Sequence, residues 1–191
     1  ELLAKHDYPA PVAKLLGEAI VLTTLLGSAL KFDGRFILQT QTDGPVSLMI
    51  VDFRAPDKMR AYARFDVERL VPGLDTAALL GKGHLAMTVD QGAHMDRYQG
   101  IVALDGGSLE DVAHAYFQQS EQVPTLVRLA VAQLTLKGHR HPHWRAGGVL
   151  VQYLPPHGER TMPDLPGDGD FSNPETADKD FAESDKWTEA R

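Results

Sequence analysis

The chain has 191 residues, of which 43% are apolar and 24% charged, the composition of a soluble globular domain long enough to bury a substantial core. It contains no cysteine, which excludes a disulfide scaffold, a thiolate nucleophile and a thiolate zinc site within these residues. The net charge is −7, and residues 158–191 carry −6 of it, so the nearly neutral body argues against a general polyanion-binding surface.

The two ends and one apolar stretch bear on the class of protein. The chain begins at Glu1 without an initiator methionine and stops at Arg191 in a helix-like run, so we expect a piece of a longer protein. No signal peptide pattern opens it, so nothing in these residues directs the chain to secretion. Residues 19–30 form an uncharged stretch of 12 residues, shorter than the roughly 20 that a bilayer requires, which predicts a buried helix.

The first predicted element is a helix within "YPAPVAKLLGEAIVLTTLLGSALKFDG", residues 8–34. Pro9 and Pro11 fall at or before its first turn, where a missing N–H costs little. Apolar side chains cover most of its circumference, and a helix of that kind packs on more than one side. We therefore expect it to lie at the centre of the domain.

Strand candidates follow this helix. In residues 35–53, "RFILQTQTDGPVSLMIVDF", the side-chain pattern repeats with the period of two that is typical of strands, on either side of an Asp-Gly-Pro turn. This pattern predicts a hairpin. Residues 58–67 are a third strand candidate, and residues 75–81, "DTAALLG", form at most a short helical turn. Residues 83–107 predict a second hairpin that turns near Gly92.

A second helix is predicted over "SLEDVAHAYFQQSEQ", residues 108–122. Ser108 and Asp111 have the spacing of a capping box. The apolar stripe of this helix consists of Leu109, Val112, Ala113, Tyr116 and Phe117. Two long strands are predicted next, at residues 125–138 and 144–156.

The composition changes after residue 157 and divides the chain in two. Residues 158–191 are rich in Pro, Gly and Asp, which predicts an acidic linker, and Phe181 and Trp187 give its candidate polar helix only a thin apolar face. Residues 1–157 are the predicted body. Because its turns are short, the pairing should be mainly antiparallel. The predicted fold class is α+β, with mainly antiparallel sheets packed with a buried helix and a second amphipathic helix.

The stretch "GHRHPHWRAGG", residues 138–148, places His139, His141 and His143 between the two long strands. Alternate residues of a strand project to one face, so these imidazoles are a candidate metal site of a small metal-dependent enzyme. An intervening proline interrupts the strand, however, and Arg140 and Arg145 place positive charge beside the cation. A polar hairpin tip is the favoured interpretation.

Two further motifs resemble ligand sites, but neither predicts one. Lys137, Arg140, Trp144 and Arg145 are residue types that contact phosphates and stack on bases, but one short patch on a neutral body does not predict a nucleic-acid partner. "LDGGSLED", residues 104–111, lacks the lysine and the spacing of a phosphate-binding P-loop. A turn followed by a helix cap explains it.

Isolated carboxylates and histidines give no enzyme motif. The candidate catalytic carboxylates sit beside glycine or at strand ends, where turn chemistry explains them: Asp43, Asp52 and Asp105. The remaining histidines considered are interpreted as surface or satisfied polar residues: His84, His94 and His114. The expected protein is therefore not an enzyme.

Three blocks of sequence together resemble one protein family. They cover residues 6–53, 97–125 and 145–155, and they begin "HDYPAPVAKLL", "RYQGIVALDGG" and "RAGGVLVQYLP". In order and spacing they resemble the N-terminal body of the heat-shock protein 33 family, also called 33 kDa chaperonins. The resemblance spans about residues 6–156.

The resemblance implies a cytosolic, ATP-independent holdase chaperone that binds unfolding client proteins under oxidative and heat stress and is usually a homodimer when active. Neither nucleic acid nor a membrane is an expected partner. In that family a C-terminal module binds zinc through four cysteines. Oxidation converts these cysteines to disulfides, releases the metal, unfolds the module and the preceding linker, and exposes apolar surface to clients.

This chain lacks those cysteines, so it is assigned no catalytic residue, cofactor-binding residue or metal ligand. Zinc is expected only in a longer protein that contains the module. Structural zinc contributes on the order of 10 kcal/mol to folding, so a polar linker would be marginal without it. We expect the linker to dock on the long strands in the resting state. The candidate linker and client surface consists of Val149, Val151, Tyr153, Phe171, Phe181 and Trp187.

Overall fold

Antiparallel strands and three helices make up the described part of the chain, and the predicted α+β class is confirmed. The computed structural model describes residues 2–3, 6–29, 34–90, 97–121, 123–135, 137 and 143–153. In chain order the elements are α1 (Ala10–Ala29), β1 (Arg35–Thr42), β2 (Val46–Arg54), β3 (Lys58–Phe65), α2 (Thr76–Leu80), β4 (Lys82–Asp90), β5 (Tyr98–Asp105), α3 (Leu109–Tyr116), β6 (Thr125–Leu134) and β7 (His143–Gln152).

The first five strands form one sheet in the order β3-β2-β1-β4-β5. The two predicted hairpins are therefore confirmed, and they join through β1 and β4. Leu38 of β1 pairs with Val51 of β2 on one side and with Met87 of β4 on the other, and all three are buried. The period of two seen in the sequence directs these side chains to the core and leaves the alternate positions on the opposite face.

Helix α1 lies between this sheet and a second sheet of two strands. Gly27 lies against Phe53 of β2, and ten residues earlier Gly17 lies against Val131 of β6. Buried positions therefore run all round the helix, as predicted from its apolar circumference. By length and composition α1 could also cross a membrane, but 67% of its most apolar window is buried inside the fold.

Strands β6 and β7 form the second sheet, which we call the ribbon. In its register Val127 faces Leu150, and Leu129 faces Gly148. Gly148 allows the ribbon to approach α1 closely, since a Cβ there would lie 2.7 Å from Val21 Cγ1. An isolated two-stranded hairpin is at best marginally stable in water, so α1 is the support on which the ribbon depends.

Helix α3 begins at the predicted capping box. The Ser108 Oγ accepts the backbone N–H of Asp111 at 3.2 Å, and the Asp111 carboxylate accepts the backbone N–H of Ser108 at 2.9 Å. The Ser108 hydroxyl also donates to the Asp111 carboxylate at 2.7 Å, and this bond, followed by the one from the Ser108 backbone N–H, holds the pKa of Asp111 below its ordinary value. All five residues of the predicted apolar stripe are buried. The helix then passes into a π-helical turn, Phe117–Glu121.

Three local interpretations can be compared with the structure. Asp43 has the expected turn role, because its carboxylate accepts the backbone N–H of Lys82 at 2.7 Å. Asp52 differs from the turn interpretation, since it lies within β2 and is paired with arginines. His143 is the first residue of β7 rather than part of a hairpin tip. The predicted boundary at residue 157 and the linker, residues 158–191, lie outside the described residues and stay predictions.

Candidate functional site

The ribbon presents apolar side chains on the face opposite α1, which we call the outer ribbon face. Val127, Leu129 and Val131 point toward the helix, so the alternate positions of β6 and their partners on β7 point away. The exposed fractions are 58% for Val149 and 45% for Val151, which is high for valines in a strand. The apolar members of the outer ribbon face are Leu126, Ala130, Ala132, Leu134, Val149, Val151 and Tyr153.

The sequence of β6 explains why both faces of the ribbon are apolar. A half-buried antiparallel strand normally alternates apolar and polar residues, but "TLVRLAVAQL" has apolar residues at both odd and even positions, and therefore on both faces of the strand. Gly147 keeps the centre of the outer ribbon face flat, because a Cβ added there would meet nothing within 4 Å. By the same register Arg128 and Arg145 share this face with the apolar side chains. Exposed apolar surface bordered by polar residues is typical of an interaction site.

Helix α3 holds the edge of β6 that does not pair with β7. The Glu110 Oε1 accepts the backbone N–H of Leu129 at 2.6 Å, and the His114 Nε2 accepts the backbone N–H of Val127 at 2.9 Å. The prediction that His114 is a satisfied polar residue is confirmed. Arg128 adds an ion pair to Glu110 at 3.4 Å. The ribbon is thus fixed on one face by α1 and at one edge by α3, while no described element packs on its outer face.

The structure brings half of the predicted surface together. Val149, Val151 and Tyr153 all lie on the outer ribbon face, and Tyr153 continues it past β7 through a bond from its backbone N–H to the Pro124 carbonyl at 3.0 Å. The other predicted members, Phe171, Phe181 and Trp187, lie outside the described residues. The sequence predicted that both long strands offer this surface, but it singled out no individual residue of β6, although the apolar residues at both odd and even positions of that strand were the available signal.

The histidine stretch is described only in part. His143 pairs with Leu134 across the ribbon, whereas His139 and His141 lie outside the described residues. Among the residues that the structure does describe, no three His, Cys, Asp or Glu side chains are grouped so as to hold a metal ion. The metal-dependent alternative therefore gains no support from the ordered strands, and it stays an open prediction for the stretch as a whole.

A basic cavity, which sequence reasoning missed, lies where β1 begins and β2 turns into β3. Its volume is about 510 Å³, and four of its lining residues are cationic: Arg35, Arg54, Lys58 and Arg60. Two carboxylates, Asp52 and Asp90, also line it. The signal in the sequence was the run of basic residues on both sides of the β2–β3 turn, but their convergence with Arg35 depends on strand register.

Asp52 organises the basic cavity. Arg35 donates to both of its carboxylate oxygens, from Nε at 2.6 Å and from Nη2 at 2.5 Å. Arg60 donates to Oδ2 from Nη2 at 2.6 Å and from Nε at 3.2 Å. The hydrogen bonds from Arg35, followed by those from Arg60, hold the pKa of Asp52 below its ordinary value although burial opposes them. Asp52 is therefore ionised at neutral pH and holds two guanidinium planes in place.

Comparison with known proteins places the chain in a family. The family model described as Hsp33 protein matches residues 1–185. The chain belongs to the Hsp33 family. A 33 kDa chaperonin of Caulobacter vibrioides strain NA1000 is 50% identical over 163 residues, covering 81% of this chain and 52% of that protein. A 33 kDa chaperonin of Ectopseudomonas mendocina is 43% identical over 156 residues, covering 82% of this chain and 49% of that protein.

A solved structure has the same fold. The crystal structure of a 33 kDa chaperonin (heat shock protein 33 homolog) from Thermotoga maritima matches with a TM-score of 0.65 at 23% identity, over 78% of this chain and 51% of that one. The Hsp33 resemblance inferred from the three sequence blocks is therefore confirmed. The chain spans about half the length of the curated relatives that it matches.

The zinc that the Hsp33 resemblance implies finds no matching donor set in this chain. A site built from four thiolates requires cysteines, and the sequence has none.

Proposed function

We propose that this chain is the body of an ATP-independent holdase chaperone, which binds unfolding proteins under heat and oxidative stress and prevents their aggregation. The proposal is supported by the relatives named 33 kDa chaperonins and, above all, by the outer ribbon face. A client in this proposal is an unfolding polypeptide with exposed apolar side chains. Burial of such side chains against the outer ribbon face is the driving force for binding.

The magnitude of that driving force can be estimated from two valines. Val149 and Val151 are about half exposed, and complete burial of a valine is worth roughly 1.5–3 kcal/mol. The remaining half of both side chains together should contribute about 2 kcal/mol to client binding. Loss of that contribution weakens binding roughly thirtyfold, since 1.4 kcal/mol corresponds to a factor of ten.

The test is suppression of light scattering by a thermolabile model enzyme during heating. The double variant Val149→Ser and Val151→Ser should lose most of the suppression. Val67→Ser with Val71→Ser is the matched control, because these valines are 66% and 55% exposed but lie outside the ribbon. Equal suppression by the two double variants would show that clients do not bind on the outer ribbon face. Suppression should be the same with and without ATP.

Redox control belongs to the proposed longer protein. We infer that a cysteine module and the linker regulate access to the outer ribbon face there, since this chain has no thiol that could respond. A thiol-specific oxidant should leave suppression by this chain unchanged and should increase it in the longer protein. Hydrogen exchange on the longer protein tests the linker: equal exchange of residues 158–191 with and without zinc under reducing conditions would exclude a docked resting state.

The remaining partner proposals follow the family. We propose a cytoplasmic location, an active homodimer, and no nucleic-acid or membrane partner; light scattering of the active form measures its mass. Binding rather than catalysis is proposed because the relatives are named chaperonins. A small metal-dependent enzyme remains the alternative. Its test is metal analysis of tag-free protein beside a variant in which His139, His141 and His143 are all replaced by alanine.

A further inference from the structure

The charges that line the basic cavity are unbalanced. Its four cations face two carboxylates, Asp52 and Asp90, which leaves a formal charge of +2 on a body that is otherwise nearly neutral. Asp90 is also engaged by Arg97, which lies 3.3 Å from its carboxylate. The cavity is therefore a local concentration of positive charge at a half-open cleft in the surface.

Strand register places three of the cations in one row across the sheet. Arg54 of β2 is directly opposite Arg35 of β1 and directly opposite Lys58 of β3. Like charges at directly opposed positions destabilise a sheet. Among the described residues, Arg54 and Lys58 have no carboxylate within ion-pair distance. The charge of Arg35 is offset by Asp52 and by Asp90, which is directly opposite it on β4. The charges of Arg54 and Lys58 are not offset by any described carboxylate at ion-pair distance, and a bound anion would offset them.

The two arginines on Asp52 are prepared to bind such an anion. Arg35 and Arg60 each use Nε and Nη2 on the Asp52 carboxylate, which leaves the Nη1 donors of both guanidinium groups for a ligand. Because their planes are already fixed, little side-chain entropy is lost when a ligand binds. Fixed guanidinium groups with additional cations beside them are suited to tetrahedral oxyanions.

We propose that the basic cavity binds a phosphoryl group, carried by inorganic pyrophosphate or polyphosphate or by a small phosphate ester. Arg35 and Arg60 form the fixed wall of this site, and Arg54 and Lys58 supply positive charge that attracts the anionic ligand. A volume of about 510 Å³ accommodates a small molecule rather than a single ion. The site lies on the face of the five-stranded sheet that points away from α1, so it is separate from the outer ribbon face.

The test is calorimetric titration of the full chain with inorganic pyrophosphate at low ionic strength, where saturable one-to-one binding is expected. Arg54→Gln with Lys58→Gln leaves the Asp52 ion pairs in place and should weaken binding about tenfold for each residue, about hundredfold in all. Arg64→Gln with Lys82→Gln removes the same charge from the same sheet outside the cavity, and it should keep the wild-type affinity within about twofold.

Two results would overturn the proposal: an absence of saturable binding to the wild-type chain, or an equal loss of affinity in both double variants. Should the cavity variant fail to fold, backbone amide shifts of the wild-type chain decide instead. Pyrophosphate must then shift Gly34, Lys58 and Arg60, and shifts confined to other residues would refute the site. If pyrophosphate binds more tightly than glycerol phosphate, the ligand of the cavity is inorganic pyrophosphate or polyphosphate. If glycerol phosphate binds more tightly, the ligand is a phosphate ester.

Discussion

Replacement of Gly148 by alanine should separate the ribbon from α1. A Cβ at this position would lie 2.7 Å from the Arg128 carbonyl oxygen, 2.7 Å from Val21 Cγ1 and 3.1 Å from Leu129 Cδ2. The carbonyl oxygen belongs to the backbone of the paired strand and cannot rotate away. Overpacking of this kind typically costs about 1–3 kcal/mol of the free energy of unfolding.

Gly147 is the matched control for this variant. It is the preceding residue of β7, but a Cβ there would meet nothing within 4 Å. Neither glycine has a positive φ that alanine would avoid. Alanine loses less conformational freedom than glycine on folding, so Gly147→Ala should gain roughly 0.5–1 kcal/mol. The two variants should therefore differ in the free energy of unfolding by about 1.5–4 kcal/mol.

The assay is denaturant unfolding followed by circular dichroism, with thermal melts beside it. For a domain of this size 1 kcal/mol shifts Tm by about 2–4 °C, so Gly148→Ala should melt at least about 2 °C below the wild-type chain. An unchanged Gly148→Ala variant would refute the close approach of the ribbon to α1. An equal loss in Gly147→Ala would show that strand formation, rather than packing on the helix, sets the cost.

Three further predictions concern other contacts of the fold. Ser108→Ala removes the capping box of α3 and should cost about 1 kcal/mol of the free energy of unfolding, measured with denaturant, whereas Ser108→Thr, which keeps the hydroxyl, should cost less; no loss in the alanine variant would contradict the cap. Glu110→Ala leaves the backbone N–H of Leu129 without its acceptor and should cost about 1–3 kcal/mol, whereas Glu110→Gln, which keeps an acceptor oxygen, should cost less. The pKa of Asp52 is lower in the folded protein than the ordinary aspartate pKa of 3.8. Its ion pairs therefore stabilise the fold fully above pH 3.8, and this contribution is lost as the pH falls through the folded-state pKa. Asp52→Asn should therefore be less stable than the wild-type chain at pH 7 by about 1–2 kcal/mol, a figure that already allows for the solvent exposure of both arginines. The difference should shrink below pH 3.8, and a constant difference would refute this assignment.

Local sequence patterns predicted those elements whose stability depends on neighbouring residues. The apolar circumference of α1, the cap at Ser108 and the turn at Asp43 are all within a few positions of the residues that explain them. The pairing of β1 with β4 was not predicted, because Leu38 and Met87 are far apart in the chain and many registers satisfy a period of two.

The sites depended even more on distant contacts. Val149 and Val151 could be named from their apolar character, but only the packing of α1 on one face of the ribbon showed which of its side chains remain exposed. Asp52 and Arg35 are 17 residues apart, and Arg60 joins them from a third strand. Basic residues beside a turn are common on protein surfaces, so the sequence alone did not distinguish a cavity from a solvated edge.

For the client binding proposed above, the side chains of Glu110 and His114 have a consequence. They already occupy the backbone N–H groups of Leu129 and Val127, so a client cannot extend the sheet as an added strand at that part of β6. Contacts with the outer ribbon face would then be made through side chains alone, with no hydrogen-bond register to satisfy. Binding of this kind is indifferent to the direction of the bound segment. Strand addition is excluded only at this part of the β6 edge, because among the described residues the outer edge of β7 has no comparable side-chain cover.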